Sequence, residues 1–412
     1  MDMKTRLLAG ITAATLVLSA AGCGSKGATP DTASSGGTLA LGASLSLTGS
    51  LAREGILTKE GYEVCRTVVN EKGGVNVGGR HYSLDIRYQD DTSKPDTAAQ
   101  LIDQFNDDGV KLILGPYGSA TTGSAAAVVE RNKQVMADSS GSDDAIFTKG
   151  YRRTFAVLSP ATSYAAVMVQ SLFDLADPKP KTVAFISADD GFSKTVTTGG
   201  IARAQQLGFT VVDTEYVPNG TSDVSGALTK IKPKNPDVIV GSVHLAEGVA
   251  IVKQAKELGV NPPGGFAETV APPTPDFVQA LGAAANGVLG STQWTEQTTG
   301  SDVWFGTAKD YADTFAKMYN GRRPEYHGAE ASAACLALVL AVKKAGSTDP
   351  DKVRDTLAEF DEQTFFGPLK FNPAGQNITK PMGVIQIQGG KVVPVWPKDS
   401  SLAALRWPGS KS

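Results

Sequence analysis

From position 39 onward the chain alternates two hydrophobic rhythms: short, nearly continuous apolar runs, and longer stretches with apolar residues at helical spacing. The first run spans 39–47 and leads into a helical pattern that ends near Asn70. At 81–88 strict alternation sets Tyr82, Leu84 and Ile86 on one face of a strand. A helix at 97–105, a buried strand at 110–114, a helix at 124–132 and a short strand at 135–137 complete a first series. After a break bearing Gly and Pro the rhythm restarts with helix 163–175, strand 182–187, helix 194–207 and strand 210–216. Helix 224–231, strand 238–243 and helix 250–258 follow, with Gly208 and Gly259 placed where helices stop.

Strands separated by helices imply right-handed βαβ units and parallel sheets covered on both faces. The expectation is an α/β protein of two Rossmann-like, doubly wound lobes, alike in construction but without a residue-level repeat. Long helices at 304–319 and 330–345, then strands at 384–388 and 392–395, come after both lobes. The tail is therefore expected to cross back between the lobes, making a hinge of several strands. The expected division is lobe 1 at 38–157 with 290–362 returning to it, lobe 2 at 158–289 with 363–400 returning to it, and a tail at 401–412.

The first 37 residues are organised differently. Lys4 and Arg6 precede an apolar run at 7–21. That run is shorter than the roughly 20 apolar residues of a spanning helix, and it reads as a secretory signal over 1–22. Ala20-Ala21-Gly22-Cys23 resembles a bacterial lipobox, with Ala20 where Leu is more usual, which implies cleavage before Cys23 and lipidation of that residue. Residues 24–37 hold only small, polar or helix-breaking types and read as a flexible tether. The protein is thus expected outside the cytoplasm, reaching the membrane only through a lipid anchor.

Charge and motifs narrow the function. With 412 residues, a net charge of -3 and no basic run, nucleic acid is not an expected partner. Cys65 and Cys335 both fall in helix-like patterns, so buried free thiols are the expected state, and pairing in an oxidising compartment stays open. No CxxC, phosphate loop, dinucleotide glycine motif or nucleophile elbow is present. His81, His244 and His327 lack any partner at metal-ligand spacing. The chain is not expected to be an enzyme, and no cofactor or metal is expected.

In open α/β sheets, ligands collect outside the carboxyl ends of the strands. Polar loops at such ends lie at 115–122 and 138–144 in the first lobe, and at 188–193, 242–245 and 267–270 in the second. On pattern alone, 115–119 is equally a plain strand-to-helix turn. Backbone N–H groups at helix starts, with Ser119, suit a carboxylate, while Asp143 and Glu268 suit an ammonium. Donors on one lobe and acids on both are what a zwitterionic amino acid requires.

The stretches LTGSLAREG at 47–55, NEKGGVNVGGR at 70–80, YQDDTSKPDTAAQL at 88–101, LGPYGSATT at 114–122 and SADDGFSKTV at 187–196 occur in this order, followed by QWTEQ and EYHGAEASAA. In order and spacing they resemble the periplasmic binding proteins of branched-chain amino acid type, extracytoplasmic receptors of ABC importers, over nearly everything from Leu39 to Pro397. The resemblance implies hinge closure around a small amino acid or related carboxylate, an ABC permease as partner, and a monomer. It also implies that Ser119, with Ala120 beside it, holds the ligand carboxylate. Gly141, Ser142 and Asp143 match the loop that holds the amino and carboxylate groups, with Asp143 standing where Ser or Thr is usual. Phe192, His244 and Glu268 match a Tyr, a second aromatic and the ammonium-binding Glu, and the first two alter the side-chain pocket. Tyr117 and Trp294 either pack or line the cleft, and Arg53 with Glu54 is expected to pair at a helix start. A ligand-sensing module serving a signalling partner is the alternative function.

Overall fold

The structure is a computed structural model in which residues 34–408 are described. Cys23, the expected signal segment and most of the expected tether lie outside the described residues. Two sheets organise the chain. The first runs β2 (Val75–Val77), β3 (Arg80–Asp90), β1 (Ser34–Leu45), β4 (Leu112–Leu114), β5 (Val135–Asp138), β6 (Thr154–Ala156). All its pairings are parallel except β2 against β3. Helices α2 (Pro95–Asp107) and α3 (Ser119–Arg131) cover one face, where Ile102, Phe105 and Val129 meet Ile113 and Met136. The other face, carrying Leu41, Leu112 and Ala137, is covered by α1 (Ala52–Glu71) and by two helices from much later in the chain.

The second sheet is built from α4 (Thr162–Leu175), β7 (Thr182–Ala188), α5 (Gly191–Gln206), β8 (Thr210–Val217), α6 (Ser225–Ile231), β9 (Val238–Ser242), α7 (Leu245–Leu258), β10 (Phe266–Glu268), α8 (Pro275–Leu281) and β11 (Leu289–Thr292). Helices α4 and α5 bury Met168, Leu172 and Val196 against Phe185 and Val240. Helices α6 and α7 bury Leu228 and Ile251 against Ile186 and Ile239 on the opposite face. The chain then returns to the first lobe with hairpin β12 (Ser301–Asp302) and β13 (Gly306–Thr307), helices α9 (Ala308–Met318), α10 (Tyr326–Ala345) and α11 (Pro350–Ala358), and hairpin β14 (Glu362–Thr364) and β15 (Gly367–Leu369). Finally β16 (Gly383–Gln388) and β17 (Lys391–Trp396) add antiparallel strands to the second sheet, in the order β17-β16-β11-β10-β9-β7-β8.

The lobe crossings fall later than expected. Because β11 stays in the second sheet, the chain leaves that lobe after Thr292 rather than at 290. Phe365, Phe366, Leu369 and Phe371 belong to the first lobe's core, so the final return comes near Lys380 rather than at 363. The three crossings are joined side by side. Ser159 N–H donates to Gln293 Oε1 at 3.1 Å, and Ser159 Oγ–H donates to the Lys380 carbonyl at 2.8 Å.

Trp304 and Phe305, expected in a helix, instead sit in the turn between β12 and β13. The Asp302 carboxylate accepts both their N–H groups at 2.8 Å, fixing a turn that competes with helix. The expectation of buried free thiols at Cys65 and Cys335 is also corrected, since they form a disulfide with Cα atoms 6.2 Å apart. Their helices can approach this closely because a Cβ on Gly61 of α1 would lie 2.1 Å from the Gly328 carbonyl oxygen of α10. The bridge spans 270 residues of sequence. Long loops lose most chain entropy on closure, so replacing Cys65 with Ser should destabilise the protein by about 2–5 kcal/mol. A denaturant midpoint unchanged by Cys65→Ser, or by reductant on the parent protein, would count against this.

Candidate ligand site between the lobes

In each parallel sheet every helix that follows a strand begins at the strand's carboxyl end. The two lobes turn these ends toward each other. Four helices start at one point between them: α3 at Ser119, α5 at Gly191, α7 after its N-cap His244, and α10 at Tyr326. Each starts about one turn before its apolar periodicity begins (expected at 124, 194, 250 and 330), because that first turn faces the cleft instead of a core. Helix α10 is additionally capped by Glu325, whose carboxylate accepts the N–H groups of His327 and Gly328 at 2.7 and 3.0 Å.

The helix starts surround a tight cavity with about 20 Å³ of solvent-accessible space. Tyr117, Gly118, Ser119, Ser140 and Ser142 line it from the strand ends of lobe 1, and Tyr164, Phe192, His244 and Val270 from lobe 2. Tyr326, His327 and Glu330 of α10 close it. A wider vestibule of about 200 Å³ lies outside, sharing Gly118, Ser119, Phe192 and His244 with the cavity and adding Ala120, Asp143 and Asp190. Five of the expected residues (Tyr117, Ser119, Ser142, Phe192 and His244) thus come together on the inner cavity, and Ala120 and Asp143 lie at its mouth.

Local geometry explains each placement. Gly118 has φ +90, a conformation suited to glycine, and it lets α3 begin immediately with no side-chain cap at its N-terminus. Ser119 Oγ accepts the Asp143 N–H at 3.1 Å, joining the two lobe-1 loops. Gly141 packs where a Cβ would fall 2.4 Å from Thr122, so only glycine fits without a shift. Asp143 reaches across the cleft, accepting from Thr195 Oγ at 2.8 Å as well as from its own helix-start N–H of Ala145 at 3.1 Å. Arg53 pairs with Asp276 of lobe 2 at 2.7 Å, not with Glu54, and Glu54 instead accepts the Leu245 N–H at 3.5 Å.

On the lobe-2 side, the Phe192 ring sits 5.3 Å from Tyr164, edge-on, and 5.4 Å from His244. His244 Nε2 lies 3.4 Å from Asp190, and its Nδ1 has no hydrogen-bond partner although the residue is only 8 % exposed. Burial disfavours the charged ring. The hydrogen bond and charge of Asp190, with Glu247 and Glu54, outweigh it and raise His244 to about 9. Burial likewise opposes ionisation of Asp190, but His244 and the Ser193 N–H and hydroxyl hold it below the ordinary carboxylate range. Val270 stands at φ +33, strained for a β-branched residue, held there after Thr269, whose Oγ1 accepts from Val243 N–H and donates to Val243 C=O.

Three expected residues line neither the cavity nor its mouth: Gly141, packed against Thr122, Glu268 and Trp294. Glu268 is fully buried at the end of β10, with both carboxylate oxygens unpartnered and Oε2 2.6 Å from where a Cβ on Gly248 would be. Burial pushes it well above the usual carboxylate range. Trp294 packs edge-on to Tyr311 and donates its Nε1–H to the Phe365 carbonyl at 3.0 Å, within the lobe-1 core. Conversely, Tyr326, His327 and Glu330 were not among the expected site residues. The stretch EYHGAE already held four polar or aromatic residues (Glu325, Tyr326, His327 and Glu330) at the start of a mostly apolar helix, which is the signal available in the sequence. Among the described residues no group of His, Cys, Asp and Glu is arranged to hold a metal ion.

Two α/β lobes with three crossings and an enclosed polar cavity between them define a two-lobed ligand-binding protein. The chain belongs to the periplasmic binding protein family, whose sequence model matches residues 38–391. It is similar to Leu/Ile/Val-binding protein homolog 8 of Brucella abortus, 24% identical over 312 residues, which cover 73% of this chain and 76% of that protein. Its fold is also that of a leucine-binding protein from Thermotoga maritima (TM-score 0.76, 22% identity, 87% of this chain and 97% of the other). An ABC transporter solute-binding protein from Rhodopseudomonas palustris, solved with 3,4-dihydroxybenzoic acid, is similar at TM-score 0.75 and 18% identity, covering 91% of this chain and 99% of the other.

The His244–Asp190 pair carries a pH signature. A group raised from 6.5 to about 9 in the folded state adds stability that is complete below the lower value and lost as pH rises through the upper. Melting temperature should therefore fall between about pH 7 and 10, and Asp190→Asn should flatten that fall. The same alkaline decline in both proteins would contradict the pairing.

Proposed function

We propose that this protein is the extracytoplasmic receptor of an ABC importer, held to the membrane through lipidated Cys23. It encloses one small carboxylate, an amino acid or related acid, between its lobes and presents it to permease subunits. It acts as a monomer and binds without turnover. The observation that carries this reading is the convergence of four helix N-termini on one interlobe cavity in which Ser142 Oγ and His244 Nδ1 are buried without partners. Helix starts and unpaired donors favour an anion, and a buried donor left unmatched costs about 1–3 kcal/mol, which a bound carboxylate would relieve. The names of the relatives, which include leucine, isoleucine and valine binding, support the same class of solute.

In this reading Ser119, Ser142 and His244 hold the carboxylate, while Tyr117 and Phe192 wall the rest of the ligand. Gly141 gives the lobe-1 loops their close approach, with Ala120 at the entrance. Asp143 serves closure through Thr195 rather than holding an ammonium directly. Glu268 supports the end of β10 from behind, and Trp294 anchors the second crossing. Closure follows from contacts that only the closed form makes: ligand groups touching both lobes, together with Asp143–Thr195, Arg53–Asp276 and Glu54–Leu245. Micromolar affinity requires about 8 kcal/mol, within reach of a few charge-assisted hydrogen bonds and an enclosed apolar body.

Calorimetry with the bound acid should show Ser119→Ala and His244→Ala each weakening affinity about 10-fold or more. Unchanged affinity in both variants would remove this site assignment. Cell fractionation provides the test of the anchor: Cys23→Ala should release the protein from the membrane fraction, and its retention there would argue against lipidation.

A further inference from the structure

We infer that Glu330, in the second turn of α10, grips a hydrogen-bond donor of the bound acid, an ammonium or a hydroxyl, in the role that the family resemblance gives to Glu268. This rests on the receptor reading above and deepens it.

Tyr326 and Glu330 stand four residues apart on α10 and therefore share one face of the helix. Both line the inner cavity, together with Ser140 and Ser142 of lobe 1, and Glu330 is the sole carboxylate in that lining. Glu268, at the end of β10, turns toward Gly241 and Gly248 and does not reach it. The acid that matches by sequence order and the acid that faces the cavity are thus different residues on different lobes.

Glu330 also has unused hydrogen-bonding capacity. Buried polar atoms ordinarily find partners. Glu330 is 1 % exposed, yet its Oε2 has none, and its Oε1 accepts only from Ser140 Oγ at 3.5 Å, too long for a strong bond. The acids around it are already engaged. Glu325 accepts the N–H groups of His327 and Gly328 at 2.7 and 3.0 Å, and Asp138 accepts those of Ser140 and Gly141 at 3.0 and 2.8 Å. The Lys380 ammonium, the cation in the same charge neighbourhood, lies 4.1 Å from the centre of the Phe366 ring and not on the free oxygen of Glu330.

The lining therefore sets one bare acceptor, Glu330 Oε2, in the same cavity as the unpartnered Ser142 Oγ and His244 Nδ1. A ligand with a carboxylate and a separate donor satisfies both kinds of group. An acid lacking the donor leaves the Glu330 oxygen buried and unmet, which costs the complex the desolvation of that oxygen.

Titration calorimetry on the full chain with two matched series tests this: leucine, leucic acid and isocaproic acid, then phenylalanine, phenyllactic acid and hydrocinnamic acid. Within each series a single group changes, from ammonium to hydroxyl to hydrogen. At least one donor-bearing acid should bind about 10-fold or more tightly than the donor-free acid of its series, and the donor that leads identifies the ligand's own. Glu330→Met, checked for an unchanged melting transition, should bring the members of that series within about 2-fold of one another. Glu330→Gln, which keeps the shape and removes the charge, should reduce the same preference and serves if the Met variant does not fold. Glu268→Gln should leave the preference in place.

Equal binding across each series in the parent protein would mean that water, not the ligand, satisfies Glu330, and would overturn the inference. So would a donor preference that survives Glu330→Met or is lost in Glu268→Gln, or no binding by any of the six acids. All of these leave the receptor reading standing. That reading falls separately, if no small carboxylate in a broad thermal-shift panel stabilises the protein.

Discussion

The direction of the strands is the constraint on which the rest of this protein depends. In a parallel sheet each connecting helix starts at the carboxyl edge, so all the positive helix ends gather on one side. Here two such edges face each other across a cleft, and α10, arriving from the chain's late return, adds a fourth start. The electrostatic character of the cavity is thus set by backbone geometry before any side chain is chosen. Side chains then modulate it: Asp190 and Glu325 cap two of the helix starts and Glu54 accepts at a third, while α3 begins without a side-chain cap beside Ser119.

Mechanical organisation follows from the same layout. Each lobe has a sheet covered on both faces, and lobe 1 is tied further by the Cys65–Cys335 bridge between α1 and α10. That bridge lies on the helix whose first turn carries Tyr326, His327 and Glu330, so it fixes the register of the cavity's closing wall. Among the described residues the two bodies are connected by the three crossings and by polar contacts such as Asp143–Thr195, Arg53–Asp276 and the Ala161 N–H to the Ser142 carbonyl. Polar contacts exchange readily with water, each contributing about 1 kcal/mol net, so they permit opening while a ligand bridging both lobes shifts the balance.

Much of this was legible in the chain itself. The alternation of apolar runs and helical periods marked two α/β lobes, and the loops at their strand ends include Tyr117, Ser119, Ser142, Phe192 and His244, which the structure places around the cavity. The misses share a cause. Helices α3, α5, α7 and α10 begin a turn earlier than their apolar pattern because the periodicity reports contact with a core, and these first turns touch a cleft. Trp304 and Phe305 looked helical because the Asp302 turn beneath them is a side-chain hydrogen-bond effect that a hydropathy pattern does not record. Cys65 and Cys335 looked like independent buried thiols because their pairing depends on a contact made at Gly61, far away in sequence from Gly328.

The sequence by itself determined the fold class, the two-lobe plan and the loops from which a site would be made, because these depend on local periodicity and on strand-to-helix order. Only the tertiary structure decided which acids face the cavity. Glu268 and Glu330 are both carboxylates near strand or helix ends, and nothing local distinguishes them. The packing of β10 against α7 turns one away behind Gly248, and the return of α10 to lobe 1 turns the other inward. That difference in direction, settled by contacts between elements distant in sequence, decides which carboxylate lines the cavity.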